Sequence, residues 1–231
     1  MTQHEMSALE PGTRGHSAAR PLVGGLTTIA TVIVIVGLTV ALFFNPLWIA
    51  FEQDRTGVPA ITGYTPEQVR TVTNSILADL ILGPPEFAVT ADGQPVLDAA
   101  ERSHMVDVRN ILLLFGTLVA IATLTLGAIV AVNRRAAWLW RAIARGSGGL
   151  ALVGIIVGAA VLFFFDAVFL AFHRVFFPQG NFSFDPLTER LTQLFPDQFW
   201  TETSIAIAVV GLAIAILATL ASRRRAARLA D

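Results

Sequence analysis

The residues of this chain best suited to acid–base chemistry are two histidines, each with a carboxylate at helical spacing. Glu101, His104 and Asp107 stand three residues apart, so a helix would carry them on one broad face. Asp166 precedes His173 by seven residues, which is about two helical turns and nearly the same face. Because histidine titrates near neutral pH, both histidines are candidates for a general base or acid.

The same residue types leave other interpretations open. His104, Asp107 and His173 could supply three ligands to a metal ion, although no compact ligand spacing such as His-Glu-x-x-His occurs. Each histidine could instead form only a hydrogen bond at a membrane interface, and Asp166 could be a buried structural anchor. The chain has no cysteine, and Ser103 would point about 100° away from His104 on a helix. We therefore predict neither a cysteine nor a serine nucleophile, and no metal or other cofactor.

The elements that must position these side chains are membrane helices. Of the 231 residues, 54% are hydrophobic and 14% are charged, which is too apolar for an ordinary soluble domain. Four apolar runs approach the ~20 residues that a helix needs to cross hydrocarbon, namely residues 22–44, 111–132, 148–172 and 203–221. The sequence therefore predicts an all-α integral membrane protein with four transmembrane helices and a small extracytoplasmic head.

The arginines predict how these helices are oriented. Arginines flank the apolar runs in the N-terminal residues 1–21, in the loop 133–147 and in the basic tail 222–231. The opposite side, residues 45–110 and 173–202, carries six arginines and thirteen acidic residues. We therefore expect both termini in the cytoplasm and both histidines on the extracytoplasmic side. The N-terminal residues lack apolar periodicity and are predicted to be disordered.

The first exported segment, residues 45–110, is too long for a bare connection and should carry structure of its own. Thr65 and Gln68 match the capping box of a helix start, so a helix is predicted after them. Residues 87–97 hold an Asp-Gly turn between short apolar runs, which predicts a small hairpin. The head is thus expected to combine short helices with this hairpin.

The second membrane helix should begin outside the membrane. Asp98 and Glu101 form another helix-start signature, and nothing breaks the chain before the apolar run at 111. His104 would lie on this projection, near the lipid headgroups. A short loop joins this helix to the next, so we expect the two helices to be neighbours whose outer ends bring His104 and His173 together.

The second exported segment, residues 173–202, is rich in phenylalanine, as expected of a chain at the lipid interface. Asp185, which a proline follows, could start a short helix with Leu187, Leu191 and Leu194 on one side. This pattern predicts a helix that lies on the bilayer surface.

Two blocks of this sequence resemble a family of bacterial membrane proteins that includes the lipoprotein intramolecular transacylase. The first block, similar to the family's E-x-x-H-M-x-D-V-K/R signature, is Glu101-Arg-Ser-His104-Met105-Val-Asp107-Val108-Arg109. The second block is Asp166-x-x-Phe169-x-x-Phe172-His173-x-x-Phe176-Phe177, followed by Asp185-Pro186 and Phe195-Pro196-x-x-Phe199. The resemblance covers nearly the whole chain, including the four-helix plan.

The resemblance implies an acyltransferase of the bacterial cytoplasmic membrane. The enzyme would move an acyl chain from the diacylglyceryl group of a lipoprotein to the α-amine of the lipoprotein's own N-terminal cysteine. We hypothesise that one of His104 and His173 is the general base and that the other stabilises the developing oxyanion. The expected partners are membrane lipids and diacylated lipoproteins, with no nucleic acid.

Further residues are assigned supporting roles by the same resemblance and by their spacing. Those expected to support or orient the histidines are Glu101, Asp107, Asp166 and Arg109. Those expected to contact the substrate are Tyr64, Asn74, Phe176, Phe177 and Asp185.

Two other functions stay open at the level of sequence. One is a different membrane lipid hydrolase or acyltransferase, with a metal held by His104, Asp107 and His173. The other is a non-catalytic membrane subunit whose extracytoplasmic head binds a partner protein. Nucleic-acid binding is not indicated, because the cytoplasmic arginines are few and adjoin the membrane spans.

Overall fold

The computed structural model describes residues 15–231, with side chains from Arg20 onward. In chain order the elements are α1 (Gly15–Phe43), α2 (Pro46–Arg55), α3 (Val58–Thr62), α4 (Pro66–Ile81), β1 (Thr90–Ala91), β2 (Gln94–Pro95), α5 (Ala99–Asn133), α6 (Ala137–Phe176), α7 (Arg190–Leu194) and α8 (Asp197–Arg228). Residues 1–14, most of the segment 1–21 predicted to be disordered, lie outside the described residues, and residues 15–21 form the start of α1, so the prediction is wrong for them.

Four of these helices, α1, α5, α6 and α8, are long and apolar enough to cross a membrane. Three of the four predicted apolar runs lie wholly within these helices, and the first, 22–44, extends one residue beyond α1, so the predicted fold class is confirmed. In the most apolar stretch of α5, α6 and α8, only 6%, 6% and 11% of the residues are buried, against 39% in α1. The first helix is therefore the central one, and the other three expose most of their apolar surface to lipid.

Small residues let α1 approach its neighbours closely. A Cβ atom added at Gly37 of α1 would lie 2.5 Å from Cγ1 of Val119 on α5. A Cβ added at Gly146 of α6 would likewise lie 2.5 Å from the carbonyl oxygen of Thr28 on α1. Close approach at small residues is how membrane helices gain packing contacts without a hydrophobic driving force.

The predicted contact between α5 and α6 is largely wrong. Helix α5 packs mainly against α1 and touches α6 little, whereas α6 packs along α8 and also against α1. The short loop 134–136 holds only the adjoining ends of α5 and α6 together. Because α1 packs against both helices, they meet at their outer ends through side chains rather than along their length.

Helix α6 is interrupted inside its apolar stretch. Phe164 has φ −140° and ψ 41°, which is not helical backbone, so two helical segments meet there. A break of this kind frees backbone polar groups that the helix would otherwise pair. The outer segment carries Asp166 and His173, and its direction is therefore set independently of the inner segment.

Local signals in the head, residues 45–110, are confirmed. Oγ1 of Thr65 accepts a hydrogen bond from the Gln68 amide, and Oε1 of Gln68 accepts one from the Thr65 amide, at 3.2 and 2.8 Å. The predicted hairpin is β1 paired antiparallel with β2. Asp92 and Gly93 in its turn have φ of 50° and 75°, as a tight type I′ turn requires.

One apolar cluster holds the head together and includes residues from both of its segments, 45–110 and 173–202. Its buried members are Ile49, Val58, Val69, Val72, Ile76, Leu77, Leu80, Phe87, Val89, Val96, Leu97, Met105, Leu191, Leu194 and Phe199. Gln53, also buried, donates hydrogen bonds of 3.0 Å to Oγ1 of Thr73 and 2.9 Å to the carbonyl of Leu194. The outer end of α5 is thereby anchored in a packed core.

The short helix predicted to start at Asp185 and to lie on the bilayer surface does not form. Oδ1 of Asp185 accepts a hydrogen bond from the Leu187 amide, so a turn replaces the predicted helix start. The helix that does form, α7, begins at Arg190. Leu191 and Leu194 pack in the core of the head, while Leu187 is 85% exposed. The segment therefore belongs to the head rather than to the membrane surface.

Candidate active site

His104, near the start of α5, and His173, near the end of α6, lie together where these helices adjoin the head. Their ring centroids are 6.1 Å apart and the ring planes differ by 24°. His104 is buried, at 6% exposure, and His173 is half-buried. The structure thus brings together the two histidines that the spacing analysis selected, although the helices carrying them are not packed side by side.

Phenylalanine rings from the second segment of the head, residues 173–202, surround the pair. Phe177 contacts both histidines, with centroid distances of 4.7 Å to His104 and 5.5 Å to His173. Phe184 lies 5.5 Å from His104, and Phe182 lies 5.2 Å from His173. These rings lower the local dielectric, which strengthens every polar interaction made between the two imidazoles.

The hydrogen bond of His173 defines which of its ring nitrogens is basic. Nδ1 lies 2.8 Å from the carbonyl oxygen of Phe169, one helical turn earlier. A carbonyl can only accept, so Nδ1 carries the proton of the neutral ring. Nε2 then holds the free lone pair, which makes it the nitrogen able to take a proton from a substrate.

Two buried polar atoms at the site lack a hydrogen-bond partner within the described residues. They are Nδ1 of His104 and Oδ1 of Asn181. Buried polar groups are nearly always paired in folded proteins, and exceptions gather at functional sites. Burial and the neighbouring His173 lower the pKa of His104 to about 4, while Asp107 and the side chain of Asn181 oppose that fall. Asn181 is thus a neighbour of His104 and the candidate partner of its Nδ1.

Asp107 is tied to the loop that covers the histidines. Its Oδ2 accepts hydrogen bonds of 2.7 Å from Nε2 of Gln179 and 2.7 Å from Nδ2 of Asn181. We expected Asp107 to orient a histidine directly, but these hydrogen bonds connect it to Gln179 and Asn181. The carboxylate instead holds the segment that carries Phe177, Phe182 and Asn181 against the pair.

Glu101 also stabilises the structure around the site. Its buried carboxylate accepts a hydrogen bond of 2.7 Å from the Asp98 amide and one of 2.7 Å from the Leu191 amide at the start of α7. The first of these completes the predicted capping box of α5. Glu101 therefore joins the beginning of α5 to the second exported segment, one turn from His104.

Asp166 and Arg109 lie apart from the histidine pair. Asp166 is exposed on α6, and no hydrogen bond or ion pair reaches its carboxylate from residues 20–231. Arg109 donates through Nη1 to the carbonyl oxygen of Asp79 at the end of α4. Burial and the neighbouring Glu86 charge raise the pKa of the Asp79 carboxyl, while the Arg109 charge opposes that rise. Arg109 is thus engaged with α4.

The remaining predicted substrate contacts are distributed over the head. Tyr64 packs under the guanidinium of Arg190, whose Cζ is 5.0 Å from the ring centroid. Asn74 is exposed on α4, and Asp185 forms the turn described above. Phe176 is 46% exposed and packs on Phe172 at 4.6 Å. Of the five predicted contacts, Phe177 is the one that touches the histidines.

A metal-binding arrangement is not formed by the described side chains. In residues 20–231, no three His, Cys, Asp or Glu side chains converge as a ligand set. His104, Asp107 and His173 therefore do not group as three ligands, because the Asp107 carboxylate is turned to the amides of Gln179 and Asn181.

Gln179, Asn181 and Phe184 are site residues that the sequence analysis missed. They lie in an irregular segment without helical or strand periodicity, and their partners are more than 70 positions earlier in the chain. Two amides in a phenylalanine-rich stretch were the available signal, because an aromatic interfacial segment gains little from Gln or Asn unless their amides are paired.

Comparison with known proteins identifies a family. The family model of the lipoprotein intramolecular transacylase Lit matches residues 25–200. No curated protein sequence matches this chain significantly.

Solved structures of a Bacillus cereus protein share the fold. The integral membrane lipoprotein intramolecular transacylase Lit from that organism is 20% identical, with a TM-score of 0.76 over 91% of this chain and 97% of the other. Variants of it with one histidine replaced by arginine or by alanine are also 20% identical, with TM-scores of 0.69 and 0.69. Each of these two covers 93% of this chain. Since the family model spans most of the sequence, the protein belongs to the lipoprotein intramolecular transacylase Lit family.

Proposed function

We propose that this protein transfers an acyl chain within a diacylated lipoprotein, from the glyceryl group to the α-amine of the N-terminal cysteine, with His104 and His173 as the catalytic residues. The observation that carries the proposal is the histidine pair, 6.1 Å apart beneath phenylalanine rings, in a chain of this family. A pair of imidazoles can exchange protons with both the attacking and the leaving group.

The reaction needs one nucleophile and one leaving group, both supplied by the substrate. The amine nitrogen attacks the ester carbonyl carbon and gives a proton to a base, which leaves a tetrahedral intermediate with a negative oxygen. The carbon–oxygen bond to the glyceryl group then breaks, and the glyceryl oxygen takes up a proton. The products are an N-acyl amide and a free glyceryl hydroxyl, so atoms and electrons balance without a co-reactant.

His173 is the general base in this proposal. Its Nδ1 donates to the Phe169 carbonyl, so Nε2 is free to accept the proton of the amine. His104 then acts as the donor to the developing oxygen anion and to the departing glyceryl oxygen. The hydrogen bond of His173 supports this division of roles, which the spacing in the sequence left open.

The surroundings of the pair favour transfer to an amine over hydrolysis. Phe177 is 3% exposed and contacts both imidazoles, and further rings cover them from the second exported segment. Excluding water from this space protects the ester from competing attack. Because the amine and ester belong to one molecule, holding them in attack geometry supplies a large part of the rate enhancement.

The head and the histidine pair face the outside of the cell in this proposal, with both termini inside. The acidic exported segments and the arginines around the other helix ends support that orientation. The chain has no cysteine, so single cysteines introduced as Glu67→Cys on α4 and as Asp231→Cys report it directly. In intact cells, a membrane-impermeant maleimide should label the first variant and not the second; the reverse labelling would contradict the proposed orientation.

The activity is tested by expressing the protein in a bacterium whose lipoproteins keep a free α-amine. Mass spectrometry of the N-terminal lipopeptide of a reporter lipoprotein should find one N-linked acyl chain and one remaining glyceryl ester. His104→Asn and His173→Asn should each reduce this product by about 100-fold or more. An unchanged product in a folded variant would remove that histidine from the mechanism.

Ser103→Ala is the matched control, because Ser103 is exposed and directly precedes His104. Its product yield should equal that of the unmodified protein. Loss of activity in this variant would indicate an acyl-enzyme instead of direct transfer. Release of free fatty acid without an N-acylated product would indicate a lipid hydrolase, and an unmodified lipopeptide would favour a partner-binding subunit.

A further inference from the structure

A cavity lined by three arginines opens at the end of the helix bundle opposite to the histidine pair. It has a volume of about 660 Å³ and lies between the start of α1 and the connection from α5 to α6. Arg20 of α1 and Arg141 and Arg145 of α6 line it, together with Trp138. This volume is in the range of small-molecule binding sites.

Among the residues that the structure describes, no acid forms an ion pair with the arginines of this cavity. The sequence has no aspartate or glutamate between residues 15 and 51, nor between residues 108 and 165, which are the stretches forming this end of α1, α5 and α6. Three guanidinium groups around one recess therefore favour an anion.

The packing of α1 against α6 builds the recess. Oγ1 of Thr28 lies 3.2 Å from the carbonyl oxygen of Ala142, and Gly146 approaches the backbone of Thr28, so the two helices are in close contact at this level. Beyond this contact the cavity wall includes Gly24 and Gly25, which have no side chains to fill it. Nη2 of Arg145 is 3.6 Å from the position of a Cβ at Gly24, so this arginine reaches across to α1.

The first turn of α6 contributes further positive potential. Ala136 and Ala137 line the cavity at the helix N-terminus. Ala136, as the N-cap residue, provides no side-chain hydrogen bond, so the first amides of α6 stay available to a ligand. Backbone amides of a helix start complement the arginines as anion donors.

We propose that this cavity binds the phosphate group of an anionic phospholipid. Guanidinium groups bind phosphate oxygens in pairs of parallel hydrogen bonds, and basic recesses between membrane helices suit phospholipid head groups. Trp138 lies beside the arginines, as aromatic rings do at the level of lipid head groups. The acyl chains of the bound lipid lie along the exposed apolar surface of α1 and α6.

Lipid binding is measured on the purified, delipidated full-length protein by native mass spectrometry during titration with a short-chain phosphatidylglycerol. The double variant Arg141→Gln/Arg145→Gln should bind it at least about tenfold more weakly. The control Arg223→Gln/Arg224→Gln makes the same charge change on α8, outside the cavity, and should alter binding less than about twofold. Equal weakening in both double variants, or equally tight binding of phosphatidylcholine, would overturn the proposal.

A second pair of variants tests whether the open space of the cavity is needed for binding, without changing its positive charge. Gly25→Leu fills the recess, and nothing lies within 4 Å of an added Cβ there, so the fold accommodates the change. Gly127→Leu on α5 also meets nothing within 4 Å and does not line the cavity. Phosphatidylglycerol binding should fall at least about tenfold in the first variant alone; retention in Gly25→Leu would overturn the site.

A competition experiment distinguishes a lipid from a soluble phosphate compound. Glycerol phosphate at the same concentration as the lipid should displace little phosphatidylglycerol, because it lacks the acyl chains that bind along α1 and α6. Displacement at equal concentration would assign the arginines to a soluble phosphate ligand and overturn the assignment to a lipid. Helical content by circular dichroism, unchanged in all four variants, shows that the differences come from binding.

Discussion

Oδ2 of Asp107 accepts a 2.7 Å hydrogen bond from Nδ2 of Asn181, 74 positions later in the chain. This contact joins the outer end of α5 to the loop whose phenylalanine rings cover the histidine pair. We therefore propose Asp107 as a positioning residue that acts through this loop, whereas the spacing in the sequence predicted that it orients a histidine directly.

Asp107→Asn should lower transacylation by about ten- to a hundredfold, because hydrogen bonds to a charged acceptor contribute about 1.5–3 kcal/mol. The amide oxygen of Asn can still accept from Gln179 and Asn181, but without the negative charge both hydrogen bonds are weaker. The rate of N-acyl lipopeptide formation checks this, with the thermal unfolding temperature measured alongside. Glu67→Gln, an equal loss of charge on exposed α4, should keep full activity. Full activity in Asp107→Asn would remove the positioning role.

The neutral form of His173 should carry its proton on Nδ1. Its 2.8 Å hydrogen bond to the Phe169 carbonyl requires a donor at that nitrogen. Solid-state NMR of protein labelled with nitrogen-15 histidine and reconstituted in lipid distinguishes the two tautomers, and the His173→Asn spectrum identifies the signal. A proton found on Nε2 would contradict the assignment of His173 as the base.

Glu101→Ala should destabilise the head by about 2–4 kcal/mol, because two amides lose a charged hydrogen-bond acceptor in a buried place. Glu101 is 1% exposed. Thermal unfolding in detergent should show a lower transition temperature for this variant. Glu67→Ala, at a side chain 76% exposed, should shift the transition little. If the two variants unfold at the same temperature, the link from Glu101 to α7 does not contribute to stability.

Gly37→Ala should destabilise the helix bundle by about 1–3 kcal/mol, because the added methyl group would lie 2.5 Å from Cγ1 of Val119. Val119→Ala should restore part of that loss in the double variant, a coupling expected of residues in contact. Gly116→Ala on α5 is the control, since nothing lies within 4 Å of its added Cβ. Additive effects of Gly37→Ala and Val119→Ala would contradict this packing.

Features encoded within a few residues of one another were predictable. The capping boxes at Thr65 and Asp98 each use a partner three residues later, and the hairpin turn at Asp92 needs only its neighbour Gly93. The same holds for the apolar runs of the four membrane helices. His104 and His173 could be selected because each is near the outer end of such a run.

Features that depend on partners far away in the sequence could not be predicted from neighbouring residues. Gln179 and Asn181 have no local signature, because their hydrogen bonds reach back to Asp107. The apolar spacing of Leu187 with Leu191 predicted a longer helix, but the Asp185 side chain offers the backbone a competing turn. The short loop between α5 and α6 also gave no sign that α1 packs against both helices and that they touch each other little.

The hydrogen bond from the Leu191 amide to Glu101 spans 90 positions and sets an order of events for biogenesis. When α5 enters the membrane, the partner of this carboxylate has not yet been translated. The chain must still insert α6 and return to the side of the membrane that holds the head before α7 can pack there, and the hydrogen bonds of Asp107 to Gln179 and Asn181 require the same step. The structure around the histidine pair is therefore completed only after the second segment of the head has been made, and we predict that a nascent chain halted before residue 191 lacks these contacts even with three helices in the bilayer.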